Sequence, residues 1–207
     1  MKIKISILVC SIFLSISAWS QQDRLHVSIQ YNYALPQGSL KNDVVEKGSG
    51  RGAVLDVQYK INPLYSIGVG FGWQDYYEKF PRKEYQSGEN EITSAVLTNS
   101  VQIIPVLAKG RFYPLGNEQK SMVQPYLSAG VGFSLINFEQ YLGQFGGSGN
   151  KLGFSWQGGA GADIRFSKTS RAGFTAGVNY LNSSYKEFGF GNFNSINIHA
   201  GIYIPME

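Results

Sequence analysis

The sequence has few cysteine and histidine residues, whose side chains take part in many catalytic and metal-binding sites. It contains one cysteine, Cys10, and two histidines, His26 and His199. Cys10 lies in an N-terminal segment that we expect to be removed, so the mature chain offers no disulfide and no cysteine metal site. The net charge of the full chain is only +4, and loss of Lys2 and Lys4 lowers it to +2. Such a weak balance argues against binding of nucleic acid, which requires a clustered basic face.

Long hydrophobic runs are confined to the N-terminus, where residues 1–20 have the pattern of a secretory signal peptide. A basic start is followed by an apolar stretch, Ile5 to Leu14, and by small residues, Ala18 and Ser20, at cleavage positions. We place the cleavage before Gln21, so that residues 21–207 form one mature domain. An uncleaved anchor is the alternative, but the apolar stretch is shorter than the ~20 residues that a spanning helix needs. A membrane role must therefore come from strands.

The residues that the sequence has in abundance are glycine, tyrosine and phenylalanine. There are 25 glycines, 13 tyrosines and 13 phenylalanines, which exceeds the content of an ordinary soluble domain. From Leu25 onward, eight runs alternate apolar side chains with polar side chains or glycine, as Tyr65 to Trp73 does. Each run therefore has one apolar face and one small or polar face. The connectors between the runs are alternately long and short, which is typical of a closed antiparallel barrel in an outer membrane.

The alternation predicts an all-β fold, an eight-stranded antiparallel up-and-down transmembrane β-barrel with short periplasmic turns and long extracellular loops. A soluble ligand-binding barrel is the rival, but its water-facing surface would consist largely of glycine and small polar groups. Lipid outside and a narrow lumen inside fit the pattern better. A closed barrel also pairs every backbone N–H and C=O in hydrocarbon, which an open sheet does not. We therefore expect the outer-membrane lipids to surround the apolar face.

Aromatic residues mark the expected edges of the apolar band. Tyr65 and Trp73 bracket the third run, roughly 20 Å apart along the barrel axis. This spacing is close to the ~25 Å band that aromatic girdles flank in such barrels. The predicted girdle consists of Tyr59, Tyr65, Trp73, Phe166, Phe174 and Tyr180.

Six charged residues fall on the predicted inward faces of the second, fourth and sixth strands. An eight-stranded barrel is just wide enough for side chains to fill its interior, and an unpaired enclosed charge costs several kcal/mol. We therefore predict an internal salt-bridge network that links these three strands. One interpretation is a structural plug, and the other is a gate whose pairs rearrange to pass ions or small solutes. The residues are Asp56, Lys60, Lys109, Arg111, Asp163 and Arg165.

The predicted extracellular loops differ in composition. The second loop, Asp75 to Glu91, concentrates charge, and the third is glycine-rich from Gly146 to Gly149. Aromatic residues in the fourth loop either pack against neighbouring loops and cap the barrel or contact an extracellular partner. These residues are Tyr185, Phe188, Phe190 and Phe193.

The sequence gives little support for catalysis. A Ser–His–acid arrangement needs a histidine base close to its serine, and both histidines are predicted to face the lumen. A lipid hydrolase of this type places its catalytic groups on the outer face, near the membrane boundary. No Gly-x-Ser-x-Gly elbow, phosphate loop or metal-spaced cluster is present. We therefore expect no enzymatic activity, no catalytic residues, no metal and no cofactor.

Three stretches resemble the small outer-membrane β-barrel proteins of Gram-negative bacteria, the group of the OmpA transmembrane domain, OmpX and OmpW-like porin-family barrels. They are Ile104–Leu107 with Arg111–Tyr113, Pro125–Phe133 and Gly158–Asp163. The resemblance implies an outer-membrane barrel, and the charged interior and elaborate loops favour a monomer with a structural or surface-interaction role in the cell envelope. A narrow channel for small or hydrophobic solutes and a lipid-modifying enzyme are the alternatives. The chain end partly matches the signal for the barrel-insertion machinery, with Met206 where an aromatic residue is usual.

Overall fold

The computed structural model describes residues 24–206 except for residues 87–91, 117–120, 144, 168–169 and 186–190. The predicted signal peptide, Phe188 and Phe190 therefore lie outside the described residues. Within the described part of the chain there are ten strands and one five-residue π-helix, Leu40–Val44. The strands are β1 (Leu25–Gly38), β2 (Arg51–Lys60), β3 (Tyr65–Lys79), β4 (Lys83–Gln86), β5 (Ile92–Ala95), β6 (Leu97–Phe112), β7 (Val123–Leu142), β8 (Phe145–Arg165), β9 (Gly173–Ser183) and β10 (Phe193–Met206).

Eight of these strands close into one antiparallel barrel. Their order around the barrel is β1-β10-β9-β8-β7-β6-β3-β2. The first and last strands complete the ring, with Ile29 opposite Ile202 on β10 and opposite Leu55 on β2. Strands β4 and β5 form a separate hairpin between β3 and β6, and only β4 falls within the second predicted loop. The prediction of an eight-stranded antiparallel barrel is confirmed.

The wall of the barrel has its apolar side chains on the outside. Ile67, Val131 and Ile202 are more than half exposed, whereas Gln30 and Asp56 are buried inside. This arrangement inverts the usual order of a soluble domain, in which burial of apolar surface drives folding. No helix among the described residues is long and apolar enough to cross a membrane.

The extracellular half of the lumen differs from what the alternation predicts. Many of the inward side chains there are apolar, and these form a core with residues from between β1 and β2. Leu40, Val44 and Val45 from that connection are at most 1% exposed. We call residues 39–50 the plug segment, since its apolar side chains fill the barrel mouth. The prediction that the small or polar face of every strand lines the lumen is therefore wrong for this half.

The third predicted loop is also corrected by the structure. Gly146 to Gly149 lie within β8 and pair with β7, and the turn between the strands is centred near Gly143, whose φ is +63°. The ring of Tyr141 covers Gly146, where a Cβ would lie only 2.6 Å from it. An aromatic cross-strand neighbour of this kind compensates for a glycine in a strand. The glycine run is therefore part of a long hairpin rather than a loop.

Candidate functional site

Asp56 on β2 is the centre of a buried charge cluster in the lumen. Its carboxylate accepts hydrogen bonds from Lys109 Nζ at 2.7 Å, Arg111 Nη2 at 3.0 Å and Gln30 Nε2 at 3.2 Å. Arg111 Nη1 also lies 3.7 Å from Asp163 Oδ2. Four of the six predicted charged residues, on β2, β6 and β8, are thus brought together. We call Asp56, Lys109, Arg111 and Asp163 the charge cluster.

A glycine allows this cluster to form. Strand β3 lies between β2 and β6, so an ordinary side chain on β3 would separate Asp56 from Lys109. Gly70 is the β3 residue paired with Asp56, and a Cβ there would lie 2.5 Å from Asp56 Oδ1 and 2.6 Å from Lys109 Nζ. Glycine is used where other groups must approach the backbone closely. The absent side chain at Gly70 therefore makes room for the shortest ion pair.

The remaining two predicted charges contact other groups. Lys60 Nζ lies 5.4 Å from the centre of the Tyr113 ring, within the range of a cation–π contact. Arg165 Nη2 donates a hydrogen bond of 2.6 Å to the carbonyl oxygen of Ser121, near a short turn. Both residues lie at the periplasmic ends of their strands.

A second set of lumenal groups, which includes the predicted inward residue His199, extends the cluster. Asp163 accepts hydrogen bonds from Thr175 Oγ1 at 2.6 Å and from Tyr113 Oη at 3.0 Å. The guanidinium of Arg111 lies 4.5 Å from the centre of the Tyr126 ring. Tyr126 Oη is 3.4 Å from His199 Nε2. The charges are therefore embedded among aromatic and hydroxyl groups that fill the narrow lumen.

Amide side chains connect this region to the extracellular end. His199 Nδ1 is 3.1 Å from Asn179 Nδ2, and Asn179 Oδ1 accepts a hydrogen bond from Asn197 Nδ2 at 3.0 Å. Asn32 Nδ2 donates to Asn197 Oδ1 at 3.4 Å and to Gln74 Oε1 at 2.8 Å. Buried polar groups of this kind are costly unless they are paired. The chain of amides satisfies most of them and ends below the plug segment.

Polar side chains of the barrel wall hold the plug segment in place. Gln74 Nε2 donates a 3.1 Å hydrogen bond to the carbonyl oxygen of Ser49. The Glu78 carboxylate accepts hydrogen bonds from the backbone N–H of Glu46 and, at 3.3 Å, of Lys47. Asn99 Nδ2 donates a 2.7 Å hydrogen bond to the carbonyl oxygen of Val44. Since Glu78 and Asn99 belong to β3 and β6, the plug segment is tied to the barrel wall. Its apolar residues are thereby kept inside the mouth.

The mouth is closed further by two aromatic side chains, one from the connection between β9 and β10 and one from the first residue of β10. The rings of Tyr185 and Phe193 stack with their centres 4.5 Å apart, and both side chains are almost fully buried. Between this apolar layer and the charge cluster lies a cavity of about 30 Å³ lined in part by Asn32, Gln74 and Lys109. A volume of that size holds about one or two water molecules.

The predicted girdle residues lie on the outer surface of the wall. Tyr65 is half exposed and packs against Phe112 with ring centres 5.2 Å apart. Phe166 and Phe174 are exposed and, like the half-buried Tyr59, lie near the short turns. Towards the extracellular end are Trp73, which is 38% exposed, and Tyr180, which packs against Trp156 at 5.7 Å. Phe112 and Trp156 lie on the same surface, and the predicted girdle did not include them.

A match to a protein family identifies the membrane in which this barrel lies. The model of the outer membrane protein β-barrel domain family matches residues 6–203. The chain belongs to this family. It is therefore an outer-membrane protein of the Gram-negative type, and its apolar wall faces lipid. Among its described residues, no group of three or more His, Cys, Asp or Glu side chains is arranged to hold a metal ion.

Three solved structures are similar to this chain, and the first of them supports the fold. Neisserial surface protein A (NspA) has 17% identity and a TM-score of 0.55, and the match covers 88% of this chain and 97% of NspA. Ail, the attachment invasion locus protein of Yersinia pestis, has 14% identity and a TM-score of 0.46 over 87% of this chain and 97% of Ail. OprG from Pseudomonas aeruginosa has 11% identity and a TM-score of 0.47 over 88% of this chain and 97% of OprG. No curated protein matches the chain.

Proposed function

We propose that this protein is a non-conducting, monomeric barrel with a structural and surface-interaction role in the cell envelope. The observation that carries the proposal is closure of the lumen at two separate levels. The charge cluster around Asp56 fills the periplasmic half. The apolar core with the plug segment fills the extracellular half. A solute must displace both layers to cross.

The energy of each layer supports a closed state. Removing one partner from a buried ion pair costs about 3–5 kcal/mol, which corresponds to an open fraction between roughly one in 160 and roughly one in 5,000. Withdrawal of the plug segment exposes Leu40, Val44 and Val45, and each such side chain contributes about 1.5–3 kcal/mol when buried. Openings that need both events are therefore rare.

The extracellular end supports a role in surface interaction. Strands β3, β6, β7 and β8 continue beyond the apolar wall as a protruding sheet. Pairing of β8 with β9 begins only at Ser155, so no described strand pairs with the outer edge of residues 146–150. An exposed edge of this kind accepts a further strand from a partner. We propose that an extracellular protein partner binds there.

Planar-bilayer recording of the refolded protein tests the closed state. Wild-type protein, Arg111→Ala and a plug variant with Leu40→Asp and Val44→Asp are each expected to show no stable openings, because one layer stays intact in each. The combined variant is expected to conduct. Heat-modifiable migration on a gel verifies that every variant is folded. Stable, discrete openings of the wild-type protein would contradict the proposal and favour a narrow channel, which the small cavity beside Lys109 supports.

We also propose that the barrel has no enzymatic activity. The groups in contact with His199 are Tyr126 and Asn179, and neither supplies the hydroxyl of a serine nucleophile. Release of fatty acid from lipopolysaccharide by the purified protein would overturn this view. Insertion by the barrel-insertion machinery and removal of residues 1–20 are further parts of the proposal, and N-terminal sequencing of the protein from outer membranes should begin at Gln21.

A further inference from the structure

A ring of polar side chains lies directly above the lipid-facing wall. On each of the eight barrel strands, a run of apolar residues on the outer face is followed, two residues further towards the extracellular end, by a polar residue. The runs end at Leu35, Ala53, Trp73, Ile104, Leu135, Leu152, Tyr180 and Ile196, and exposed tyrosines, Tyr77 and Tyr141, recur farther out on β3 and β7. We call the polar residues that follow them the amide belt, since six of the eight are carboxamides: Gln37, Arg51, Asp75, Gln102, Asn137, Asn150, Asn182 and Asn194.

The strand register aligns these residues into two continuous arcs. In the first arc, Arg51 is opposite Asp75, Asp75 opposite Gln102, Gln102 opposite Asn137, and Asn137 opposite Asn150. Asn137 Nδ2 donates a 2.9 Å hydrogen bond to Gln102 Oε1. The arc is thus a ladder of neighbouring polar groups rather than a set of scattered residues.

The second arc crosses the other side of the barrel. Gln37 is opposite Asn194, and Asn194 is opposite Asn182. Asn182 Nδ2 donates a 2.5 Å hydrogen bond to Asn194 Oδ1. A carboxamide offers two N–H donors and a two-fold acceptor oxygen, so one cross-strand bond leaves donors and acceptors on each side chain for a ligand.

The charge of the belt narrows the choice of ligand. Its only two charged members are Arg51 and Asp75, and their side chains pair at 3.4 Å. Phosphate headgroups are recognised by clusters of arginine and lysine, which the belt does not provide. Groups that both donate and accept hydrogen bonds without charge complement carboxamides, and the hydroxyls of sugars are groups of this kind.

Exposed aromatic rings border the belt. On the outward face of β3, Trp73 lies two residues before Asp75. Trp156 on β8 is paired with Asn182 on β9. Trp156 is 43% exposed and packs against Tyr180. A flat indole ring presents an apolar face beside its N–H donor, which suits the face of a sugar ring that carries C–H groups.

We propose that the amide belt binds the uncharged sugar headgroups of glycolipids in the outer leaflet, with Trp73 and Trp156 contacting the sugar rings. The wall below the belt already contacts acyl chains, so a lipid held by its tails places its headgroup at this level. The inference concerns lipid selection around the barrel, and it holds whether or not the lumen conducts.

Quenching of tryptophan fluorescence by brominated lipids tests the proposal. Of the three tryptophans, Trp19 lies in the predicted signal peptide, so both tryptophans of the mature chain border the belt. The protein is reconstituted in phosphatidylcholine vesicles with rising fractions of diglucosyl diacylglycerol whose acyl chains are brominated. Brominated phosphatidylcholine is the reference lipid. We expect an affinity about threefold higher for the sugar lipid, equivalent to roughly one net hydrogen bond per lipid.

A belt variant carries Gln102→Ala, Asn137→Ala, Asn182→Ala and Asn194→Ala. The ratio of its affinity for the sugar lipid to its affinity for phosphatidylcholine should fall to one. The matched control replaces Glu139 and Ser148, which pair with each other two residues beyond the belt on the extracellular side. This control should retain the preference for the sugar lipid. If the fourfold variant does not insert, Asn182→Ala with Asn194→Ala should still lower quenching of Trp156. Equal quenching of wild-type protein by both lipids overturns the proposal. So does an unchanged preference in the belt variants, or a stronger preference for brominated phosphatidylglycerol than for the sugar lipid.

Discussion

Replacement of Asp56 by asparagine is the most direct test of the charge cluster. The substitution keeps the shape of the side chain and removes only its charge. Asp56 is 3% exposed, so water does not replace the lost interaction. Lys109 loses the partner at 2.7 Å and Arg111 the partner at 3.0 Å, while Arg111 retains Asp163 at 3.7 Å.

The expected cost follows from these contacts. A hydrogen bond to a charged group contributes about 1.5–3 kcal/mol, and Asp56 accepts two from the cations Lys109 and Arg111. The sum of about 3–6 kcal/mol agrees with the roughly 3–5 kcal/mol that follows when one partner of a buried pair is removed. We therefore expect Asp56→Asn to lower the free energy of unfolding by about 4 kcal/mol.

Urea titration of the refolded barrel, followed by the fluorescence of Trp73 and Trp156, measures this change. Lys109→Met added to Asp56→Asn should restore at least half of the loss, because the orphaned cation is then absent. The exposed pair of Arg51 and Asp75 provides the control, and Arg51→Ala should cost no more than about 1 kcal/mol. A loss below about 1 kcal/mol for Asp56→Asn would refute the reasoning, since it would place Asp56 in a hydrated lumen.

Further perturbations separate the other parts of the structure. Glu78→Ala frees the plug segment, and trypsin should cleave after Lys47 about tenfold faster, in line with the loss of charge-assisted hydrogen bonds; an unchanged rate would mean that Glu78 does not anchor it. Phe193→Ala opens a cavity in the mouth and should lower the free energy of unfolding, measured by urea titration, by about 3–5 kcal/mol; a loss below about 1 kcal/mol would argue against a packed core. Gly201→Ala should reduce the yield of folded barrel, because its Cβ meets a backbone carbonyl of β1. Gly158→Ala is the matched control, since its Cβ meets nothing within 4 Å, and equal yields would contradict the prediction.

The period-two alternation was sufficient to predict the wall. Each strand shows its own apolar face, so residues such as Ile67 and Ile198 were placed outside without any knowledge of their neighbours. The plug segment was not predicted, because its apolar residues make one short turn whose partners lie on distant strands. In β6, the nearly continuous apolar stretch from Val101 to Leu107 also concealed that its inward residues belong to a core.

The charge cluster was likewise predicted from the sequence only in part. The alternation identified Asp56, Lys109, Arg111 and Asp163 as inward residues, and an enclosed charge needs a partner. It did not show which charges meet, because pairing across a barrel depends on the stagger between strands. Asp56 reaches Lys109 across β3 only because Gly70 leaves the space open, and that relation involves three strands at once.

The sequence by itself determined the class of fold, the closure into eight strands and the side of the wall that meets lipid, because these follow from a repeat that each strand carries locally. Only the tertiary structure decided the filling of the mouth, the pairing of the lumenal charges and the alignment of the amide belt. Those features arise from the relative heights of neighbouring strands, which are set by the register of hydrogen bonds around the closed barrel.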